Sequence, residues 1–156
     1  MATFAVSAEP GSHALCMSAT INGPRDLVFK AYTDPKAIPH WWGLDASNTR
    51  VDEMDATRGG RWRFVENGPD GEEHAFRGVY HDVVPNERIV WTFEYEPMAG
   101  HVLLEEMLFI DQGEKTRLET RSVFQSVEDR DGMIASGMED GANQSLNKLE
   151  AYVATL

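Results

Sequence analysis

Apolar and polar positions alternate over most of the chain, which predicts strands, and one stretch near the end carries a helical period instead. Residues 1–12 end at Pro10-Gly11 and read as a flexible leader ahead of a single domain over 13–156. His13, Leu15, Met17, Ala19 and Ile21 share one parity and predict a first strand, stopped by Gly23-Pro24. Leu27, Val28, Ala31 and Tyr32 then give a short helix an apolar side. Thr33-Asp34-Pro35 starts a second one, and Pro39 limits it to brief turns ending at Gly43.

From Ser47 the strand signals resume. Trp62 and Phe64 share a parity, as do Phe76 and Tyr80, and Trp91, Phe93 and Tyr95; arginines such as Arg61, Arg63, Arg77 and Arg88 take the other. Gly59-Gly60, Gly68–Gly71, Pro85-Asn86, Pro97–Gly100 and Asp111–Lys115 separate six strands. Such tight connections predict an antiparallel sheet. Its aromatic face should meet the helix predicted over Met133–Leu156, where Ile134, Met138, Gly141, Ser145, Leu149, Tyr152 and Leu156 fall on one side. Gly141 and Ser145 bring almost no bulk to that side, so something approaches the helix closely or needs the space. The pattern is that of an α+β two-layer fold.

Residues 102–110 are apolar on both parities. If Val102, Leu104, Leu108 and Ile110 face inward, Glu106 is a carboxylate in an apolar setting and the candidate acid or base. Alternatively, Glu105 and Glu106 mark a strand end or bulge and are solvated. The inward choice leaves Leu103, Met107 and Phe109 outside as an interface patch, and a homodimer is the expectation.

Net charge sharpens the picture. Lys and Arg number 14 against 26 Asp and Glu, a balance of −12 that repels nucleic-acid phosphates and anionic membranes. The single cysteine, Cys16, allows no intrachain disulfide and fits a reducing, cytoplasmic setting. No run approaches the roughly 20 apolar residues of a membrane span, and no signal peptide is visible. His13, His40, His74, His81 and His101 are scattered without metal-ligand spacing, so no metal or cofactor is expected.

Tyr32-Thr33-Asp34-Pro35 followed by Trp41-Trp42-Gly43 resembles the signature of the START-like (SRPBCC) superfamily. More narrowly, it is similar to the domain at the C-terminus of the Hsp90 ATPase activator. Asp55-x-x-Arg58-Gly59-Gly60-x-Trp62, Phe76-x-Gly78-x-Tyr80, Pro85-x-x-Arg88-Ile89-Val90 and Gly137-Met138-x-x-Gly141 with Leu146-x-x-Leu149 follow in the same order. The resemblance implies a helix-grip fold, a curved antiparallel sheet of about seven strands around the C-terminal helix, with two short helices after the first strand. It also implies a cavity for hydrophobic small molecules, and in some members a cyclase, dehydratase or hydrolase.

Trp41, Trp42, Trp62, Phe64, Phe76, Tyr80, Trp91, Phe93 and Tyr95 would then wall a ligand site, unless they simply fill the core. Gly141 and Ser145 would form its floor, and Met133 and Met138 would gate it. The expected function is binding of a small hydrophobic or aromatic ligand. The alternatives are an enzyme in that cavity, with Glu106 or a histidine as acid or base, and a co-chaperone of an Hsp90-type ATPase. Against the last, the activator carries a further N-terminal domain, and nothing before His13 would replace it.

Overall fold

The computed structural model describes residues 2–156. Eight strands form one antiparallel sheet in the order β1-β2-β8-β7-β6-β5-β4-β3. They are β1 (Thr3–Ser7), β2 (Ala14–Asn22), β3 (Asn48–Met54), β4 (Arg61–Asn67), β5 (Glu73–Val84), β6 (Arg88–Tyr95), β7 (Val102–Gln112) and β8 (Lys115–Val123). Helices α1 (Arg25–Thr33) and α2 (Ile38–Trp41) follow β2, and α3 (Val127–Ala135) and α4 (Met138–Val153) close the chain. This is the expected α+β helix-grip architecture, with one strand more than anticipated.

The additional strand corrects the loose leader. Thr3–Ser7 pairs with Cys16–Thr20 of β2, and Phe4 and Val6 pack against the core clusters. Met1 lies outside the described residues.

A second correction concerns the long helix. It is two helices, α3 and α4, joined at Gly137, whose φ of +86° is left-handed. Glycine adopts that conformation freely just past a helix end. α3 begins well before Met133, with the Ser126 hydroxyl accepting from the Asp129 N–H as its cap. Pro39 sits in the first turn of α2, where its missing N–H costs nothing.

The core lies between the inner sheet face and the helices. Trp62, Phe64, Tyr80, Trp91, Phe109, Leu118, Leu149 and Val153 are buried there. Two close approaches make it fit. The Trp62 indole N–H donates to the Thr92 carbonyl at 3.2 Å. It does so across Gly78, where a Cβ would collide with that carbonyl. The Trp41 indole donates to the Ala31 carbonyl at 2.9 Å and so locks α2 onto α1.

The parity of β7 is the reverse of the one expected. Leu103, Met107 and Phe109 are buried, only 6%, 6% and 2% exposed, whereas Leu104 and Ile110 are 47% and 39% exposed. The physical reason is register. Trp91 stands opposite Glu105 and Phe93 opposite Leu103, and residues directly opposed in antiparallel strands share a face. The interface patch proposed from Leu103, Met107 and Phe109 is therefore core.

Candidate functional site

A cavity of about 660 Å³ lies between sheet and helices. That is within the roughly 300–1,000 Å³ typical of small-molecule sites. β4 and β5 contribute Phe64 and Phe76, β6 contributes Trp91, Phe93 and Tyr95, and the α1–α2 segment contributes Tyr32, Trp41 and Trp42. Met138, Gly141, Ser145 and Leu146 of α4 line the opposite side. Met98, His101, Asp129 and Met133 also line it, where the start of β7 faces α3.

The aromatic rings brace one another. Trp42 packs edge-on against Phe64 and Phe76, at 5.4 and 5.0 Å, and Phe76 meets Phe93 at 5.4 Å. Eleven of the thirteen residues expected at the ligand site lie on the wall; Trp62 and Tyr80 do not. Trp62 stacks on Trp91 at 4.2 Å with planes 18° apart, so it forms core behind the wall. Tyr80 is equally buried and its hydroxyl has no hydrogen-bond partner among the described residues; burial raises its pKa.

The two bare positions of α4 have different causes. The Ser145 hydroxyl accepts from the Gly43 N–H at 3.1 Å and donates to the Gly43 carbonyl at 3.0 Å. Its small size thus lets α4 clamp the loop after Trp42. That loop is held again by Thr49, which donates to the Trp42 carbonyl at 2.6 Å, and by Glu66, which accepts from the Leu44 N–H at 3.0 Å. Gly141 makes no such bond. A Cβ there would meet only the Leu44 Cδ2, at 3.4 Å.

Glu106 is not in the cavity. It faces outward and accepts from Arg88 at 2.8 Å, in a surface group that includes Asp82. Its neighbour Glu105 is the inner carboxylate. Glu105 lines the cavity, and its two oxygens accept one bond each, from the Trp91 indole N–H at 3.0 Å and the Ser122 hydroxyl at 2.6 Å. Burial pushes the Glu105 carboxyl above its usual range, against the opposing pull of those two donors. The Tyr32 hydroxyl, on the same wall, is raised by burial and by the Glu105 charge. Sequence reasoning missed Glu105 by one residue. The signal that finds it is the β6–β7 register, which sets it opposite the inward Trp91.

Further polar pairs lie on the wall. His74 Nδ1 and the Tyr95 hydroxyl are 2.7 Å apart, and His101 Nδ1 lies 3.0 Å from the Asp129 carboxylate. Among the described residues no group of three or more His, Cys, Asp or Glu could hold a metal ion, and no helix is long and apolar enough to cross a membrane.

The family model described as activator of Hsp90 ATPase homolog 1-like protein matches residues 22–154. The chain belongs to this AHSA1-like family of the START-like superfamily. Several solved structures superpose well on the chain. A protein from Rhodobacter sphaeroides is 21% identical with a TM-score of 0.89, over 99% of this chain and 100% of that one. One from Arthrobacter aurescens is 19% identical at 0.87, over 97% and 92%. Ms6760 from Mycobacterium smegmatis is 22% identical at 0.86, over 97% and 96%. At these identities the likeness is one of fold. No curated protein matches the chain.

Proposed function

We propose that this AHSA1-like protein binds a small hydrophobic or aromatic molecule in the cavity between sheet and α4. The observation that carries the reading is the cavity itself, about 660 Å³ beside Trp42, Phe76, Phe93 and Trp91 in a chain whose other aromatics pack tightly. A core designed only for stability would close such a space, because voids cost free energy. 2-Naphthylmethanol is a suitable probe, followed by calorimetry. It is expected to bind the wild type, and Gly141→Leu, which fills the open side of α4, is expected to abolish binding while circular dichroism stays native. Equal binding by the variant would place the pocket elsewhere.

Glu105 supports a second reading, proton transfer on a bound substrate, since it sets a carboxyl of raised pKa beside the aromatic wall. That reading expects the α-hydrogens of 2-acetylnaphthalene to exchange with D2O faster in the presence of wild type than of Glu105→Gln. Equal rates by NMR would end it.

A further inference from the structure

The wall of the cavity has a one-sided charge. Glu66, Glu105, Glu128 and Asp129 lie on it, and no lysine or arginine does among the described residues. Arg130 of α3 is buried but turned elsewhere, with its guanidinium on the Glu9 and Ala14 carbonyls and on Asp131. Lys148 donates to the Leu44 carbonyl and is not on the wall. Apart from Glu105, Glu66 accepts from the Leu44 N–H, and the Asp129 carboxylate is held by His101. Glu128 is exposed in the first turn of α3.

Glu105 differs from these three. It sits mid-strand on the inner face, in a row that runs Leu15, Ser122, Glu105, Trp91 and Tyr80 across five strands. Each of its oxygens holds one neutral donor and keeps further acceptor capacity. Nothing in that row carries a positive charge. Trp91 and Tyr32 line the cavity with it, and aromatic rings attract cations through their quadrupoles.

We propose that the ligand is a lipophilic cation, an arylalkyl amine whose ammonium group binds at Glu105 and whose apolar body lies along Phe93, Phe76 and Trp42. This rests on reading the cavity as a ligand site and adds the charge of what enters it. A fatty acid or other lipophilic anion would meet the Glu105 carboxylate on the inner face with no lysine or arginine on the wall to offset it, so it is excluded. The acidic groups on α3 and the net charge of −12 favour the approach of a cation.

Three probes of one shape test this by calorimetry at neutral pH: 2-naphthylmethylamine, 2-naphthylmethanol and 2-naphthoate. The amine is expected to bind at least about tenfold more tightly than the alcohol, as charge-assisted hydrogen bonds predict, and the carboxylate is expected not to bind. Glu105→Gln should bring the amine down to the affinity of the alcohol and leave the alcohol unchanged. If the alcohol binds and the amine binds no better, or if the carboxylate binds best, the charge selection is overturned and the hydrophobic-ligand reading stands. If none of the three binds, both fall. The wild-type comparison decides the matter even where the variant does not fold.

Discussion

Glu105 shows how one side chain links stability to the site. Its carboxyl is raised by burial, so between the unfolded value of about 4.3 and the folded one the native state holds more protons than the unfolded chain. The stability this contributes is complete below the unfolded value and is lost as pH rises through the folded one. Glu105→Gln keeps the neutral form at every pH. Its melting temperature is therefore expected to rise relative to wild type as pH goes from about 4.5 to about 8. Parallel curves would mean that Glu105 titrates as a solvated carboxyl. Gly78 gives a second test at this scale. An alanine Cβ there meets the Thr92 carbonyl and stands 2.6 Å from the Trp62 indole nitrogen. Neither can yield without breaking the sheet, so Gly78→Ala is expected to cost about 1–3 kcal/mol or more in urea unfolding.

At the scale of elements, the sequence spoke clearly where one face is wet and the other dry. β2 and β6 alternate cleanly, and Leu15 and Trp91 are buried as that alternation requires. β7 is apolar on both faces, so periodicity cannot choose between them. Only the register with β6 does, and the turn at Glu96–Met98 that sets it carries no type-specific signal. That ambiguity moved the candidate carboxylate from Glu105 to Glu106. The break between α3 and α4 was hidden for a different reason. Glycine is tolerated inside helices as well as at their ends, and the apolar period runs on from Ile134 to Met138. A Cβ at Gly137 would touch nothing within 4 Å, so the cost of Gly137→Ala is that of the left-handed backbone alone, about 1 kcal/mol. A stability unchanged in urea titration would mean the bend is not needed. Ser145 belongs to the same scale. Ser145→Ala removes both hydrogen bonds to Gly43, and about 1–2 kcal/mol is expected to go with them. Trp42 fluorescence should shift as its loop loosens, which a loss of bulk stability alone would not produce at low denaturant.

At the scale of the molecule, the question is what the outer sheet face does. The apolar triad that suggested a homodimer lies in the core, and what replaces it outside is charge. Arg63 pairs with Glu96 and Asp52, Arg77 with Glu94, Arg88 with Asp82 and Glu106, and Arg117 with Glu119. Such exposed pairs contribute little stability each, roughly 0–1 kcal/mol. They do hold carboxylates in place; the Arg63 guanidinium keeps Glu96 below its usual range, and the Gly100 N–H and then Arg77 do the same for Glu94. Leu104 and Ile110 are the exposed large apolar groups of this strand, and along the outer parity Glu106 and the half-buried Leu108 separate them. A stable dimer needs a contiguous surface, commonly about 800 Å² per partner with an apolar centre. Two isolated side chains amid ion pairs do not supply it, and the net charge of −12 sets like-charged copies against each other. Light scattering at high micromolar concentration and low salt is expected to return the mass of one chain. A dimer that persists there would have to use another surface, and Leu104→Lys, expected to leave both mass and stability unchanged, would tell whether this face takes part.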